Sequence, residues 1–365
     1  MFSKKLLESE VSRHIRLGSK VSEKLPEILI HLRVGRNILI LYQENNLFID
    51  TLDQLIEKIA NNNKNIRKIV LKAISEKIPF YCNEITIFSP HIIVLIGDIK
   101  TIDFGKYIIY SFYEQFHKKL EWISIPTTPE SDSIASPFIF LDIDGKGEKY
   151  IGQVNTPMAI LADTDILKCS SNNCLSSGIG DLFSRQTAIW DWKLANRLRG
   201  ETISDFVVAV SSETIDILAK QLQGINPEHD EATFIVVKAL IIAGFLGGFA
   251  ADIRSCYGSE HMFAEALDAE EPGKASHGQR VALGTIMMAS LQGQDWKNIR
   301  KSLKKFNLSI SSTPLGYKTT SIVKALINAN LYPKTDKMYT IIEPGIVEEA
   351  AWSLAYRTGI IGSRF

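Results

Sequence analysis

Near residue 160 the texture of this sequence changes, and that change constrains the fold more than any single motif. Before it, short apolar runs alternate with stretches of helical spacing. "NILILYQ" (37–43), "HIIVLIG" (91–97) and "EWISIP" (121–126) read as buried strands. "TLDQLIEKIANN" (51–62) and "TIDFGKYIIYSFYEQFHKKL" (101–120) read as helices between them. Strands that alternate with helices predict a parallel sheet joined by crossover helices. "FIFLDIDGKGEKYIG" (138–152) then reads as a hairpin turning at Asp144-Gly145 and Gly147. Beyond it, helical patterns succeed one another at 181–199, 204–223, 231–250, 259–268, 277–291, 295–305, 319–329 and 346–358. The expectation is an α/β domain over 1–155 and an all-α domain over 156–365, with a ligand cleft between them. A chain of 365 residues is long enough for both cores.

One segment tests that division. "FIVVKALIIAGFLGGFAADI" (234–253) is nearly long enough to span a bilayer. Lys238 lies inside it, and Gly244, Gly247 and Gly248 interrupt it. The expectation is a buried helix and no membrane span. Lysine plus arginine equals aspartate plus glutamate, at 41 each, which argues against a nucleic-acid surface. The four cysteines form no CxxC pair, so a reduced, cytoplasmic protein is expected. The N-terminal stretch carries charges throughout and has no apolar core of a signal peptide.

Two of the seven histidines stand apart. His261 follows Gly258 and Ser259, His277 precedes Gly278, and both open expected helices. His14, His31, His91, His117 and His229 occupy unremarkable, surface-like contexts. Asp181, after Gly178 and Gly180, is a third candidate for the same site. Two histidines and a carboxylate suit a divalent ion with open positions, zinc or ferrous iron. On spacing alone Asp181 reads more readily as a helix N-cap, and the spacing of the three matches no short motif.

Several stretches together resemble the glycerol-1-phosphate dehydrogenase family, within the iron-containing alcohol dehydrogenase and dehydroquinate synthase-like superfamily. They are "SIPTTPESDSIASPF" (124–138), "AILADTDIL" (159–167), "SGIGDLFSRQTAIWDWKLANRLRGE" (177–201), "GSEHMFAEALD" (258–268), "HGQRVALGTIMMASLQGQDW" (277–296) and "MYTIIEPGIVEEAAWSLAYRTGIIG" (338–362). The resemblance implies a Rossmann-like N-terminal domain and an all-α C-terminal domain. It implies a metal held by Asp181, His261 and His277, with zinc or another divalent ion in place. It puts Asp132 beside the substrate and nicotinamide, where a turn residue is the other reading. It sets Gly97, Asp103, Thr127, Thr128 and Ser131 along NAD(H) or NADP(H). The implied reaction is reversible reduction of dihydroxyacetone phosphate to sn-glycerol 1-phosphate, by a cytoplasmic homo-oligomer serving phospholipid biosynthesis.

The sequence also departs from the family. Where the pattern is GGGxxxDxxK, this chain has "GDIKTIDFGK" (97–106), with Asp98 and Ile99 replacing two glycines. Such glycines let backbone N–H groups approach a pyrophosphate. A like charge about 4 Å from it costs roughly 1 kcal/mol in water and roughly 4 at an effective dielectric of 20. Gln279 stands for the glutamate of HGE, and Glu265 for the histidine of SHALD. These changes keep two further readings open: a divergent enzyme acting on another phosphorylated substrate, and a non-catalytic binding subunit.

Overall fold

A computed structural model describes residues 11–43, 49–60, 64–71, 78–168, 170–225, 230–332 and 338–362. His229 and Cys169 lie outside the described residues.

The strands are β1 (His14–Gly18), β2 (Asn37–Tyr42), β3 (Asn65–Val70), β4 (Ile92–Gly97), β5 (Trp122–Pro126), β6 (Phe138–Leu141), β7 (Lys149–Gln153) and β8 (Ala159–Asp163). Six form one parallel sheet in the order β1-β8-β5-β4-β2-β3, and β6 and β7 pair as the expected antiparallel hairpin. Helices α1 (Leu25–His31), α2 (Ile49–Ala60), α3 (Ile78–Phe88) and α4 (Ile99–Phe116) connect the strands. β8 belongs to this sheet, so the α/β unit extends beyond residue 155, where the sequence placed its end.

Side chains alternate across the sheet, as the period of two requires. Ile38, Ile40, Val94, Ile96, Ile123 and Leu161 pack with Leu25 and Ile28 of α1 and Ile59 of α2. Leu39, Leu41, Ile93, Leu95 and Trp122 face α3 and α4. That second core runs on without a break into the helical half. The two halves therefore share one hydrophobic interior.

Past β8 come α5 (Thr164–Leu167), α6 (Asn172–Arg199), α7 (Asp205–Gln221), α8 (Asp230–Ala250), α9 (Ser259–Glu270), α10 (His277–Leu291), α11 (Trp296–Lys305), α12 (Thr319–Asn328) and α13 (Glu348–Arg357). α8 is long and apolar enough to cross a membrane, yet 67% of its most apolar window is buried inside the molecule. It packs against α6, α7, β1 and a short turn at Asp132–Ile134.

α6 starts nine residues before the expected position 181. Asp181 is therefore not an N-cap. It sits in the middle of a 28-residue helix, 2% exposed, pointing inward. The glycines beside it serve helix packing. A Cβ on Gly180 would lie 2.3 Å from the carbonyl oxygen of Gly278, and one on Gly278 would lie 1.8 Å from that of Ser177. Only glycine at both positions lets α6 and the start of α10 touch backbone to backbone.

A candidate metal centre between the halves

That contact brings Asp181 on α6 to His277 at the start of α10. α9 brings His261 from a third direction. His261 Nε2 is 3.6 Å and His277 Nε2 3.7 Å from the same oxygen, Oδ1 of Asp181. One donor atom from each of the three residues lies within 4.8 Å of the others. The imidazole rings stand 5.3 Å apart, with Phe140 of β6 6.3 Å and 6.0 Å from them. The other described histidines take no part. His14 and His31 stack on each other, and His91 and His117 are exposed.

The second nitrogen of each ring is held. His261 Nδ1 is 2.8 Å from Glu260 Oε1, and His277 Nδ1 is 2.9 Å from Glu148 Oε2. A carboxylate only accepts, so each Nδ1 carries the proton and donates it. Each Nε2 is then left for the shared point. This is the pattern by which proteins orient metal-binding imidazoles.

The charges of the site offset one another. Burial pushes the Asp181 carboxyl up, but His261, His277 and Arg185 outweigh it and hold it well below the usual carboxylate range. Burial likewise opposes charge on Glu148, and His277 and Arg280 bring it down to about 2. Burial disfavours charge on the His277 ring, yet Glu148 and Asp181 carry it up to about 10. Carboxylates outnumber guanidinium groups around this point, and a divalent cation is the species that such a cluster complements. The donor set, two imidazoles and one carboxylate, therefore fits a divalent ion.

Asp132 joins the site through its backbone and its charge. Its N–H donates to Asp181 Oδ2 at 3.1 Å, and its carboxylate pairs with Arg185, one turn past Asp181 on α6. Burial raises the Asp132 carboxyl despite that partner. Thr127, Thr128 and Ser131 lie on the same segment, which leaves the carboxyl end of β5. Thr127 N–H donates to Gly97 O at 2.8 Å, Thr128 Oγ1 to Glu130 at 2.9 Å, and Ser131 Oγ accepts from Ser133 N–H.

Gly97 ends β4. The helix after β2 leads to β3 on one side, while the helix after β4 leads to β5 on the other. The carboxyl ends of β2 and β4 thus form the crevice where doubly wound sheets bind nucleotides. Three residues of this loop acquire definite places here. Ile99 does not obstruct the loop, because it is 7% exposed and packs into the core. Asp98 is the N-cap of α4, its Oδ1 accepting from Thr101 N at 2.9 Å and Thr101 Oγ1 at 2.7 Å. Asp103 is turned into the interior. It is 1% exposed, pairs with Lys106 at 2.6 Å and accepts from Ser133 Oγ at 2.5 Å. Lys106 also reaches Phe138 O at 2.5 Å, so this pair ties α4 to the Asp132 turn and β6.

The two family departures near the metal site also acquire definite contacts. Gln279 pairs with the backbone of Ser309, donating to its O at 2.6 Å and accepting from its N–H at 3.1 Å. Glu265 accepts from Tyr150 N–H on the hairpin at 3.2 Å, and burial raises its carboxyl to about 8. The sequence reading missed Glu148, Arg185 and Glu260. Arg185 and Glu260 left signals, at i+4 from Asp181 and next to His261. Glu148 left none, since it lies in a hairpin turn 129 residues from its partner.

A family profile described as iron-containing alcohol dehydrogenase matches residues 16–170. The chain is 34% identical to glycerol-1-phosphate dehydrogenase (NAD(P)+) of Hyperthermus butylicus, covering 97% of this chain and 99% of that protein. It is 33% identical to the enzyme of the same name from Staphylothermus marinus, over 99% of this chain and 100% of that one. Among solved structures, a probable glycerol dehydrogenase from Sinorhizobium meliloti superposes with a TM-score of 0.76 at 18% identity, covering 97% of this chain and 98% of that one. Glycerol dehydrogenase from Schizosaccharomyces pombe gives 0.73 at 18% identity, with 97% and 92% covered.

Proposed function

The chain belongs to the glycerol-1-phosphate dehydrogenase family, and from that premise we propose that it reduces dihydroxyacetone phosphate to sn-glycerol 1-phosphate with NADH or NADPH. The observation that carries the reading is the convergence of His261 Nε2 and His277 Nε2 on Asp181 Oδ1, with a carboxylate behind each ring.

In this proposal Asp181, His261 and His277 hold a divalent ion, taken as zinc, between the sheet and the helical half. When bound, the ion supplies Lewis acidity to a carbonyl oxygen and the nicotinamide supplies hydride. The protein's own part is positioning. Glu260 and Glu148 keep the imidazoles in one tautomer and one orientation. Arg185 neutralises Asp132 and keeps the turn it begins against α6. The His277 side chain is 16% exposed against 4% for His261 and 3% for Asp181, so substrate reaches the centre from the His277 side. Thr127, Thr128, Ser131 and Gly97 border the nicotinamide end of the crevice. The same proposal takes a cytoplasmic homo-oligomer as the working form.

One observation favours a second reading. Asp98 already occupies the N-terminus of α4, which suits a divergent member with weakened nucleotide binding. Metal analysis of the purified chain and of His261→Ala, with NADH and NADPH oxidation by dihydroxyacetone phosphate, separates the possibilities. A divalent ion lost in the variant, with ketone-dependent oxidation in the wild type, is expected. A metal-free wild type without activity would refute the proposal. A metal-bound protein that turns over neither nucleotide would favour the second reading.

A further inference from the structure

The two carboxylates behind the imidazoles have different origins. Glu260 precedes His261 on α9. Glu148 arrives from the β6–β7 hairpin, in the other half of the chain. The hairpin is seated on α9 by its backbone. Glu148 N–H donates to Asp268 Oδ2 at 3.0 Å and Tyr150 N–H to Glu265 Oε1 at 3.2 Å. Gly147, at φ +94°, lies so close to α9 that a Cβ there would be 2.8 Å from Ala269 N. Phe140 on the paired strand stacks on Tyr257, ring centroids 5.9 Å apart.

None of these contacts uses the Glu148 side chain. Its carboxylate is spent on the far side of the turn, where it takes His277 Nδ1 at 2.9 Å and Arg280 Nη2 at 2.7 Å. Arg280 is itself fixed by Ala275 O at 2.6 Å and Asp268 at 3.2 Å. Arg280 therefore holds the same Glu148 oxygen, Oε2, that meets the imidazole.

We propose that Glu148 is a positioning residue for the metal centre, and that the hairpin docked on α9 delivers it to His277. The proposal rests on reading Asp181, His261 and His277 as metal ligands. Glu148 fixes the His277 ring with Nε2 aimed at the shared point and makes that nitrogen a better donor. Glu265, where family members carry histidine, acts one step further out by holding Tyr150 N–H and so the hairpin. The centre is complete only when both halves of the chain contribute to it.

The test uses the full chain with zinc, titrated against a chromogenic chelator, and with cobalt, read by its visible d–d absorption. Glu148→Gln keeps an acceptor for Nδ1–H but loses the charge. Glu148→Ala loses both, and Glu148→Asp restores the charge on a shorter stem. Zinc affinity is expected to fall by about tenfold in Glu148→Gln and by up to about a hundredfold in Glu148→Ala, with partial recovery in Glu148→Asp. The cobalt spectrum is expected to shift in the first two. Hairpin docking survives these changes, because backbone N–H groups carry it. If Glu148→Ala fails to fold, Glu148→Gln and Glu148→Asp decide the matter. Wild-type zinc affinity and an unchanged cobalt spectrum in the folded variants would overturn the role of Glu148. A wild type that binds neither ion would overturn the metal-centre reading itself.

Discussion

Replacing Asp98 by asparagine tests how the nucleotide crevice works in this chain. Asp98 Oδ1 takes the N–H and the hydroxyl of Thr101, so a carboxylate already sits where the first turn of α4 offers its free N–H groups. A pyrophosphate seeking the same N-terminus meets that charge at close range. At about 4 Å the repulsion spans about 1 kcal/mol in water to about 4 at an effective dielectric of 20. Asp98 is only partly buried, so screening keeps the cost at the lower end, about 1–2 kcal/mol. That corresponds to about 5–30-fold in affinity. Asparagine caps helices about as well as aspartate, so the fold is not at stake. Asp98→Asn is therefore expected to bind NADH or NADPH about 5–30-fold more tightly at an unchanged melting temperature. The assay is direct titration by calorimetry or nicotinamide fluorescence, at two salt concentrations. The gain should shrink at the higher salt. An affinity within twofold of wild type would refute the argument that this charge limits binding. Ile99 should be left alone, since truncating a core residue costs about 2–5 kcal/mol and would obscure the result.

Two other perturbations follow from the geometry. Gly180→Ala puts a Cβ 2.3 Å from Gly278 O, so α6 and α10 must part; about 1–3 kcal/mol of stability and a measurable share of zinc affinity should go together, by thermal melts and chelator competition. Asp191 is buried and burial, with Glu260 next, raises its carboxyl to about 6, although Ser259 and Ile341 donate to it. Between about pH 4 and 6 the folded state then holds a proton that the unfolded state has lost. Wild-type stability should fall across that window, by up to about 3 kcal/mol, and level off above it. Asp191→Asn should lack that slope in urea melts across pH, and a slope equal to wild type would rule the assignment out.

Much of this molecule is legible in its sequence, and the failures have physical causes. The apolar runs that became β2, β4 and β5 are interior strands covered on both faces, which is why they read so plainly. β1 and β3 are the edges of the sheet. Arg16, Arg67 and Lys68 break their apolar character, as edge strands require, and hide them from a pattern search. The first nine residues of α6 escaped because "NNCLSSGIG" holds glycines and small polar residues that suit a loop. Their small size is what the contact with α10 demands, a fact that belongs to tertiary packing. Asp181, His261 and His277 were singled out by residue type and resemblance, and the fold brings all three together. Glu148 illustrates the opposite case. Its partner is distant in sequence, and a glutamate in a turn carries no mark of what it will touch.

The burial of α8 also bears on how the chain is made. A 21-residue apolar segment emerging from a ribosome resembles cargo for membrane insertion until something covers it. Its chief neighbours, α6, α7, β1 and the turn at Asp132–Ile134, all precede it in the chain. At about 5–20 residues per second, the eight residues between α7 and α8 take about 0.4–1.6 s, so even the last of these surfaces is made before α8. Among the described residues, the one sizeable neighbour still to come is a three-residue turn, Ile253–Ser255, directly downstream. The order of synthesis therefore supplies the shelter before the segment that needs it.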